Sequence, residues 1–347
     1  MAKRRTLAAS LVLALLITLT IWAPTFSQSW SNQIYVPLVH GNPTPTPSPF
    51  SHYSTSYYVN PLIYDPAVLR ALGYNLCVAQ RDEAGSQDDL VILDFGQPYG
   101  DSENRPIVLM FGTLAEITMA QVEEGLRQYV LGYYSCTGAD TTSEVTIGAG
   151  VNNYGSWLRE SYNAINSGYD WGVMLLNVYN WMRTNGYMNR ASVYGAIDLE
   201  LPWNTYSAMN DWLFGYMDAV DRMIPLLDFG DCNGCNTTPA NGWTISQVWQ
   251  IKWGNAVVWP VPEIYNIYGA NARQWAGLSD YSVANYSMPL LFDSLMTQMQ
   301  ACQQAGGCTG VDNTPEEGYD QLLGAINDDP LTTQDRIPWV TDIRWYR

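Results

Sequence analysis

Histidine is nearly absent from this chain of 347 residues. The two histidines, His40 and His52, both lie in or beside a proline-rich tract near the N-terminus. Residues 53–347 therefore contain no imidazole, which excludes a Ser-His-Asp triad, a Cys-His pair and a histidine-ligated metal within that part of the chain. Carboxylates, tyrosines and backbone groups remain as the available catalytic groups.

Several sequence motifs are also missing, and one sign of charge is under-represented. The chain has no G-x-S-x-G nucleophile elbow, no G-x-G-x-x-G turn and no P-loop, so an esterase and a nucleotide-binding enzyme are disfavoured. Positive charge is scarce, with 16 Lys and Arg against 33 Asp and Glu and a formal net charge of −17. Because no basic stripe can neutralise phosphates, we expect neither nucleic acid nor an anionic membrane as a partner. We predict no cofactor and no metal.

Long apolar runs are limited to one, from Leu7 to Ala23, which follows Lys3-Arg4-Arg5. This order predicts a secretory signal peptide over residues 1–27, or a single membrane anchor if the segment stays uncut. Alternating prolines from Pro43 to Pro49 predict an extended linker over residues 28–52. We therefore expect a secreted or cell-surface protein whose folded domain covers residues 53–347; its oligomeric state stays open.

Six cysteines lie beyond the predicted signal, as suits disulfides in an oxidising compartment. Six cysteines allow fifteen pairings. Cys232 with Cys235 and Cys302 with Cys308 are close enough to close small loops, which leaves Cys77 with Cys136 by elimination. Residues 237–242 are typical of a loop, so we predict a structural disulfide rather than a redox C-x-x-C motif.

Apolar runs that predict strands alternate with segments of helical periodicity. Several strands are apolar throughout, as expected when both faces of a parallel sheet are covered. The order predicts a (β/α)8 barrel rather than an open doubly wound sheet. The predicted strands are 90–94, 107–111, 145–149, 193–200, 224–228, 248–251, 257–264 and 289–292, and the predicted helices are 119–131, 171–183, 207–222 and 294–304. Only a dozen residues separate the first two strands, so that connection is irregular or one of the two strands lies outside the barrel.

Acidic residues collect where these strands end. Asp198 and Glu200 close one strand, and because side chains alternate, both point to the same side, roughly 7 Å apart along the backbone. In a barrel, Asp94, Asp228 and Glu263 would face this pair across the mouth. Any one of the three could instead be a helix cap or bind a loop.

Carboxylates without histidine suit the cleavage of a glycosidic bond. We predict Glu200 as the proton donor and Asp198 as the like charge that raises its pKa. Asp94, Asp228 or the acetamido group of an N-acetylated sugar would then supply the second catalytic role. The chain contains 14 Trp and 24 Tyr, and exposed rings stack on sugars. The predicted substrate-binding residues are Glu263, Tyr265, Trp203 and Trp253.

The segment Gly195-Ala196-Ile197-Asp198-Leu199-Glu200 resembles the fourth-strand D-x-E motif of glycoside hydrolase families 18 and 25. These are secreted (β/α)8 enzymes that act on chitin and on peptidoglycan. The resemblance implies that Glu200 is the acid, that Asp198 is its neighbour and that Asp94 fills the first-strand aspartate position of family 25. The longer motif of family 18 would need acids at Val193 and Ala196 and a glycine at Tyr194. We therefore expect a protein that acts on a chitin-like or peptidoglycan-like polysaccharide, or a non-catalytic carbohydrate-binding protein on the same barrel.

Overall fold

A computed structural model describes residues 50–62, 64–136, 138, 140 and 142–346. The predicted signal peptide and nearly all of the predicted linker lie outside these residues. The described part contains eleven strands and eight α-helices. The strands are β1 (Ser54–Tyr58), β2 (Asp89–Asp94), β3 (Gln97–Gly100), β4 (Pro106–Leu109), β5 (Glu116–Thr118), β6 (Val145–Asn152), β7 (Ala191–Asp198), β8 (Leu226–Asp228), β9 (Val258–Pro260), β10 (Ser294–Thr297) and β11 (Trp339–Trp345). The helices are α1 (Pro66–Asp82), α2 (Met119–Tyr134), α3 (Ser161–Asn185), α4 (Tyr206–Val220), α5 (Ile245–Lys252), α6 (Ala270–Tyr286), α7 (Met299–Ala305) and α8 (Pro315–Asn327).

Eight of the strands form a parallel barrel. Their order is β10-β11-β1-β2-β6-β7-β8-β9, and every neighbouring pair is parallel. A single parallel bridge between Glu263 and Met296 joins the two ends of this order, with hydrogen bonds of 2.9 Å from Ile264 N to Met296 O and 2.8 Å from Met296 N to Pro262 O. Helices connect successive barrel strands. The predicted (β/α)8 fold is confirmed.

The irregular first connection is explained by a small sheet outside the barrel. Strands β3, β4 and β5 pair antiparallel and lie between β2 and α2. The predicted strand 107–111 belongs to this small sheet, as β4, and not to the barrel. Because β3 directly follows β2, the insertion starts at the carboxyl end of that barrel strand, where the loops of such a barrel build its mouth.

Three other predictions of local structure were wrong. Residues 248–251 lie in α5, because Thr244 and Gln247 form a capping box that starts a helix there. Residues 289–292, predicted as a strand, lie just before β10 and are not part of it. Residues 294–297, predicted as the start of a helix, form β10, and helix α7 begins at Met299. Short apolar runs fit both periodicities, so periodicity alone does not separate a strand from a buried helix segment.

Apolar side chains pack on both faces of the barrel strands. The larger layer lies between strands and helices, and includes the fully buried rings of Trp171, Trp212 and Trp275. A smaller set fills the barrel interior: Leu90, Ile92, Ala196, Leu227, Phe229, Val261, Met296 and Ile343. This inner set fixes which alternate residues of each strand face the barrel axis.

The six cysteines form three disulfides, Cys77–Cys136, Cys232–Cys235 and Cys302–Cys308, so the predicted pairing is confirmed. The first joins α1 to the end of α2, on the helical layer. The second closes a tight turn in the loop after β8, on the mouth side of the barrel. No helix among the described residues has the length and apolar character needed to cross a bilayer.

Candidate active site

Alternation along the strands carries three carboxyl groups into the barrel above its apolar interior. Asp94 follows Ile92 by two positions, Asp198 follows Ala196 by two, and Glu263 follows Val261 by two. Since side chains two apart share a face, each acid lies on the same side of its strand as the inner apolar residue before it. Glu200 continues the same phase just beyond β7. The apolar interior thus forms a floor, and the acids stand above it at the mouth.

Asp198, Glu200 and Glu263 form a compact cluster, which we call the acid cluster. One carboxylate oxygen from each lies within 4.8 Å of the others. Three oxygens at this spacing could hold a hard cation, since such ions take carboxylate ligands. They could equally share protons, because like charges so close in a buried site cannot all ionise easily.

Burial and like charge both push the acid cluster towards its protonated form. Burial raises the pKa of Asp198 well above its usual range, and the charges of Glu200 and Asp94 add to the rise. Burial also raises the pKa of Glu263 well above its usual range, with Asp198 and Glu200 adding to it. Asp198 Oδ1 is buried without a hydrogen-bond partner. Protonation of Asp198 therefore avoids an unpaired charge on a buried oxygen.

Glu200 is positioned by its neighbours and stays partly exposed. Asn153, just beyond β6, accepts from Glu200 N at 3.0 Å and donates to Glu200 O at 3.0 Å. The Asp231 N–H donates to Glu200 Oε1 at 3.0 Å. Burial and then the charge of Asp231 raise the pKa of Glu200, and this N–H bond opposes the rise. A fixed, reachable carboxyl group with a raised pKa suits proton donation.

Tyrosine hydroxyls border the other side of the acid cluster. Tyr265 Oη donates to Glu263 Oε1 at 2.7 Å, which favours the ionised carboxylate and partly offsets its burial. Tyr58, at the end of β1, stacks on Trp345 at the end of β11 with ring centroids 4.5 Å apart. The mouth therefore combines carboxyl groups, phenols and an indole around one point.

Asp94 is fully buried at the end of β2. Its Oδ1 accepts the Gly96 N–H at 3.1 Å, whereas Oδ2 has no hydrogen-bond partner. Burial raises the pKa of Asp94 to about 8. Near pH 7, Asp94 is therefore a buried neutral acid.

Asp228 does not join the other acids inside the barrel. Leu227 and Phe229 face the interior, so the intervening Asp228 points to the helical layer. There it pairs with Lys252 of α5, whose Nζ lies 3.0 and 3.1 Å from the two carboxylate oxygens and 3.1 Å from Leu199 O. Both side chains are fully buried. The prediction that Asp228 faces the mouth was wrong. Strand β8 is buried on both faces, so its sequence does not show which alternate side chains face the barrel axis.

The predicted substrate-binding residues divide between the two ends of the barrel. Tyr265 and Glu263 lie in the mouth, and Trp203 lies beside it, in the loop after β7. Trp253 follows α5 and precedes β9, in a connection at the amino ends of the strands and away from the acids. Its side chain packs against the outer apolar layer instead.

Three residues beside the acids, Asn153, Asp231 and Lys252, were not among the predicted site residues. Asn153 and Asp231 each lie just beyond the end of a barrel strand, where polar residues gather, so position alone could have marked them. Lys252 carried a different signal, because it is the one lysine beyond Lys3 in the whole chain. Because residues 248–251 were predicted as a strand, the role of Lys252 on a helix beside the barrel was not predicted.

The fold and this site together describe a (β/α)8 barrel with a carboxylate-rich mouth. No family model and no curated protein matches the chain. Among solved structures, the chain is similar to an endo-beta1,6-glucanase, with 12% sequence identity and a TM-score of 0.45 over 87% of this chain and 67% of that one.

Proposed function

We propose that this protein is a glycoside hydrolase that cleaves a polysaccharide with retention of configuration, using Glu200 as acid and Glu263 as nucleophile. The observation that supports the proposal is the spacing of the acid cluster, in which oxygens of Glu200 and Glu263 lie within 4.8 Å. Carboxyl groups are about 5–5.5 Å apart in retaining glycosidases and about 6.5–9.5 Å apart in inverting ones. The compact spacing leaves no room for the water that inversion requires.

The reaction would proceed in two steps. Glu200 first gives its proton to the glycosidic oxygen as the bond to the anomeric carbon breaks, and Glu263 forms an ester with that carbon. Water then attacks the same carbon, Glu200 takes a proton from it, and Glu263 leaves as a carboxylate. Tyr265 donates to Glu263 at 2.7 Å and favours the ionised form that attack requires, against the burial and like charge that raise the pKa of Glu263.

Glu263 supplies the nucleophile, the second catalytic role for which the sequence offered Asp94, Asp228 or a substrate acetamido group. Asp228 is paired with Lys252 on the far side of β8. Asp94 is fully buried and held neutral by that burial, so it does not reach a substrate as a nucleophile. An N-acetyl group is then not needed for the chemistry, so chitin-like and peptidoglycan-like chains are two substrates among several.

The test compares turnover by the wild-type protein, Glu200→Gln and Glu263→Gln on chitin, peptidoglycan and β-glucans. Loss of a general acid lowers kcat by roughly 10²–10⁴-fold, and we expect each variant to fall at least that far. Glu124→Gln, an exposed carboxyl on α2, is the matched control and should keep full activity. NMR of the first product should show the anomer of the substrate. Equal release of reducing sugar by the wild type and both variants would contradict the proposal.

A non-catalytic carbohydrate-binding role is the second candidate. It is favoured by Val193 and Ala196, which stand where family 18 has acids and are packed in the two apolar layers. Such a protein would bind a polysaccharide without releasing reducing ends, and its affinity would be the same in Glu200→Gln.

We further propose that residues 1–27 direct export and that residues 53–347 form the exported domain. Three disulfides among the described residues are compatible with an oxidising compartment. N-terminal sequencing of the protein recovered from the medium of the producing cells would locate the cleavage point.

A further inference from the structure

Aromatic side chains line one side of the mouth, beside Glu200. They come from three connections at the carboxyl ends of β2, β6 and β7, which are neighbours in the barrel. Tyr99 lies on β3, Tyr154 and Trp157 follow β6, and Trp203 follows β7. We call these four residues the aromatic path.

The near end of the aromatic path, Tyr154 and Trp203, is linked to Glu200 through hydrogen bonds to the Glu200 backbone. Trp203 N donates to Glu200 O at 3.1 Å, and Tyr154 directly follows Asn153, whose side chain holds the Glu200 backbone on both sides. The rings of Tyr154 and Trp203 meet edge to face with centroids 5.6 Å apart. Tyr154 remains 55% exposed. A sugar unit leaving Glu200 on this side would therefore meet these rings first.

The far end of the aromatic path is a second pair held in place by amides. The rings of Trp157 and Tyr99 lie 6.3 Å apart, and Tyr99 is 42% exposed. Trp157 Nε1 donates to Asn104 Oδ1 at 2.8 Å, Asn104 donates to Asn163, and Asn163 donates back to Trp157 O at 3.1 Å. An indole fixed in this way loses little conformational freedom when a ligand stacks on it.

The aromatic path holds two ring pairs and not one. The ring centroids lie 5.6 Å apart in the near pair and 6.3 Å apart in the far pair, and the chain from Tyr154 to Trp157, which enters a short 3-10 helix at Ser156, connects the two pairs. Exposed aromatic faces stack on the apolar faces of sugars. Two ring pairs beside the acid suit consecutive units of a chain and not a single terminal unit.

The charge of the molecule limits the kind of chain. The chain as a whole carries a formal net charge of −17, with 16 basic residues against 33 acidic ones. A glycan with uronate or sulfate groups carries the same sign of charge and would be repelled. An uncharged glycan would not.

Building on the proposed function, we propose that the aromatic path is a binding subsite for at least two consecutive units of an uncharged glycan, next to the bond that Glu200 protonates. The site would then prefer long neutral chains to disaccharides and cleave within them.

The test measures binding with Glu200→Gln protein, so that its result does not depend on turnover. Calorimetry compares hexasaccharides with disaccharides of chitin, β-glucans, xylan and mannan, and adds polygalacturonate and heparin as anionic chains. We expect at least one neutral hexasaccharide to bind at least tenfold more tightly than its disaccharide. Binding of no neutral chain, equal binding of short and long chains, or tighter binding of an anionic chain would overturn the proposal.

Variants then locate the extra affinity. Tyr99→Ala and Trp157→Ala should each weaken hexasaccharide binding about fivefold and leave disaccharide binding unchanged, as expected from the loss of one ring contact. Trp157→Phe keeps a ring and should keep most of the affinity, which separates stacking from folding. Tyr74→Ala is the matched control, because Tyr74 is 43% exposed on α1, in the outer helical layer. Unchanged affinity in both path variants would also overturn the proposal.

The two proposals fail in different ways. Length-dependent binding by Glu200→Gln together with no hydrolysis by the wild type would keep the aromatic path and remove the glycoside hydrolase. Hydrolysis with equal rates on disaccharides and hexasaccharides would keep the hydrolase and remove the path.

Discussion

Asp94 shows how strongly one position in the strand determines the chemistry of its side chain. Its carboxyl group is fully buried above the barrel floor, with one N–H donor at Oδ1 and no hydrogen-bond partner at Oδ2. Burial disfavours the charged form, and the single N–H bond compensates only in part. The result is an acid that is neutral at physiological pH without any basic partner.

This raised pKa makes stability depend on pH. The pKa of Asp94 is about 8 in the folded protein against a reference value of 3.8. Between these values the folded state keeps a proton that the unfolded chain loses, so the free energy of unfolding falls as pH rises from about 4 to about 8. Asparagine cannot ionise, so Asp94→Asn should avoid this decrease in the free energy of unfolding, which is on the order of 5 kcal/mol across that window.

Urea titrations at several pH values would measure this effect. We expect the wild type to lose stability towards pH 8 and Asp94→Asn to lose distinctly less. Asp320→Asn, an exposed carboxyl on α8, is the control and should follow the wild type. If Asp94→Asn and the wild type show the same slope, Asp94 is ionised in the folded protein.

The D-x-E pair was predictable at the residue scale because β7 ends in a clear alternation. Asp198 and Glu200 are two apart and both face inward, as their spacing requires. The phase of Asp228 was not predictable, because the strand of Leu226, Leu227 and Asp228 is buried on both sides. Apolar residues on either side of an acid say nothing about which way that acid points.

At the scale of elements, one lysine joins α5 to β8 by an ion pair and to the segment just after β7 by a hydrogen bond. Lys252 extends from the last turn of α5 to Asp228 on β8 and to the carbonyl of Leu199, between Asp198 and Glu200. Its ammonium also lies 5.2 Å from the ring centre of Trp275 on α6. A helix outside the barrel therefore holds the backbone that carries the acid.

Removing this ammonium should be costly. Lys252→Met leaves the carboxylate of Asp228 buried without its partner, and breaking a buried pair in this way costs about 3–5 kcal/mol. The double variant Lys252→Met with Asp228→Leu removes both charges and should recover most of that loss. Urea unfolding of the two variants and the wild type measures the difference. Equal stability of the single variant and the wild type would show that the pair contributes nothing net.

Elements with their own local signals were predicted, and those that depend on distant partners were not. Helix α2 starts at a capping box and carries buried residues at helical spacing, so its position was close to the prediction. Strand β1, Ser-Thr-Ser-Tyr-Tyr, has little apolar character of its own. It exists because β2 and β11 pair with it on its two edges.

At the scale of the whole molecule, the barrel depends on pairing between the two ends of the described chain. Ser54 of β1 is in register with Thr341 of β11, and Ser56 Oγ lies 2.7 Å from Thr341 Oγ1 inside the barrel. This pairing joins residues almost 290 positions apart, and such contacts leave no short-range pattern. The order of strands and helices along the chain was enough to predict the fold class, but not the strands that complete the ring.

The weakest join of the ring is the one between β9 and β10, and it lies beside the candidate active site. Strands β6 and β7 pair over eight residues, whereas β9 and β10 meet through the single bridge of Glu263 with Met296. Local opening costs less where fewer hydrogen bonds and contacts must break. The join includes Glu263, so its mobility acts directly on the proposed nucleophile.

We therefore predict that native-state hydrogen exchange will separate the two joins. The amides of Ile264 and Met296, which donate across the weak join, should exchange through opening of lower free energy than amides in the middle of β6 and β7. A neutral hexasaccharide bound to Glu200→Gln should slow exchange at Ile264 and Met296 more than in β6, because the proposed binding mode brings the glycan against Glu263. Exchange of all these amides at the same global rate would show that the single bridge closes the barrel as firmly as a full strand pair.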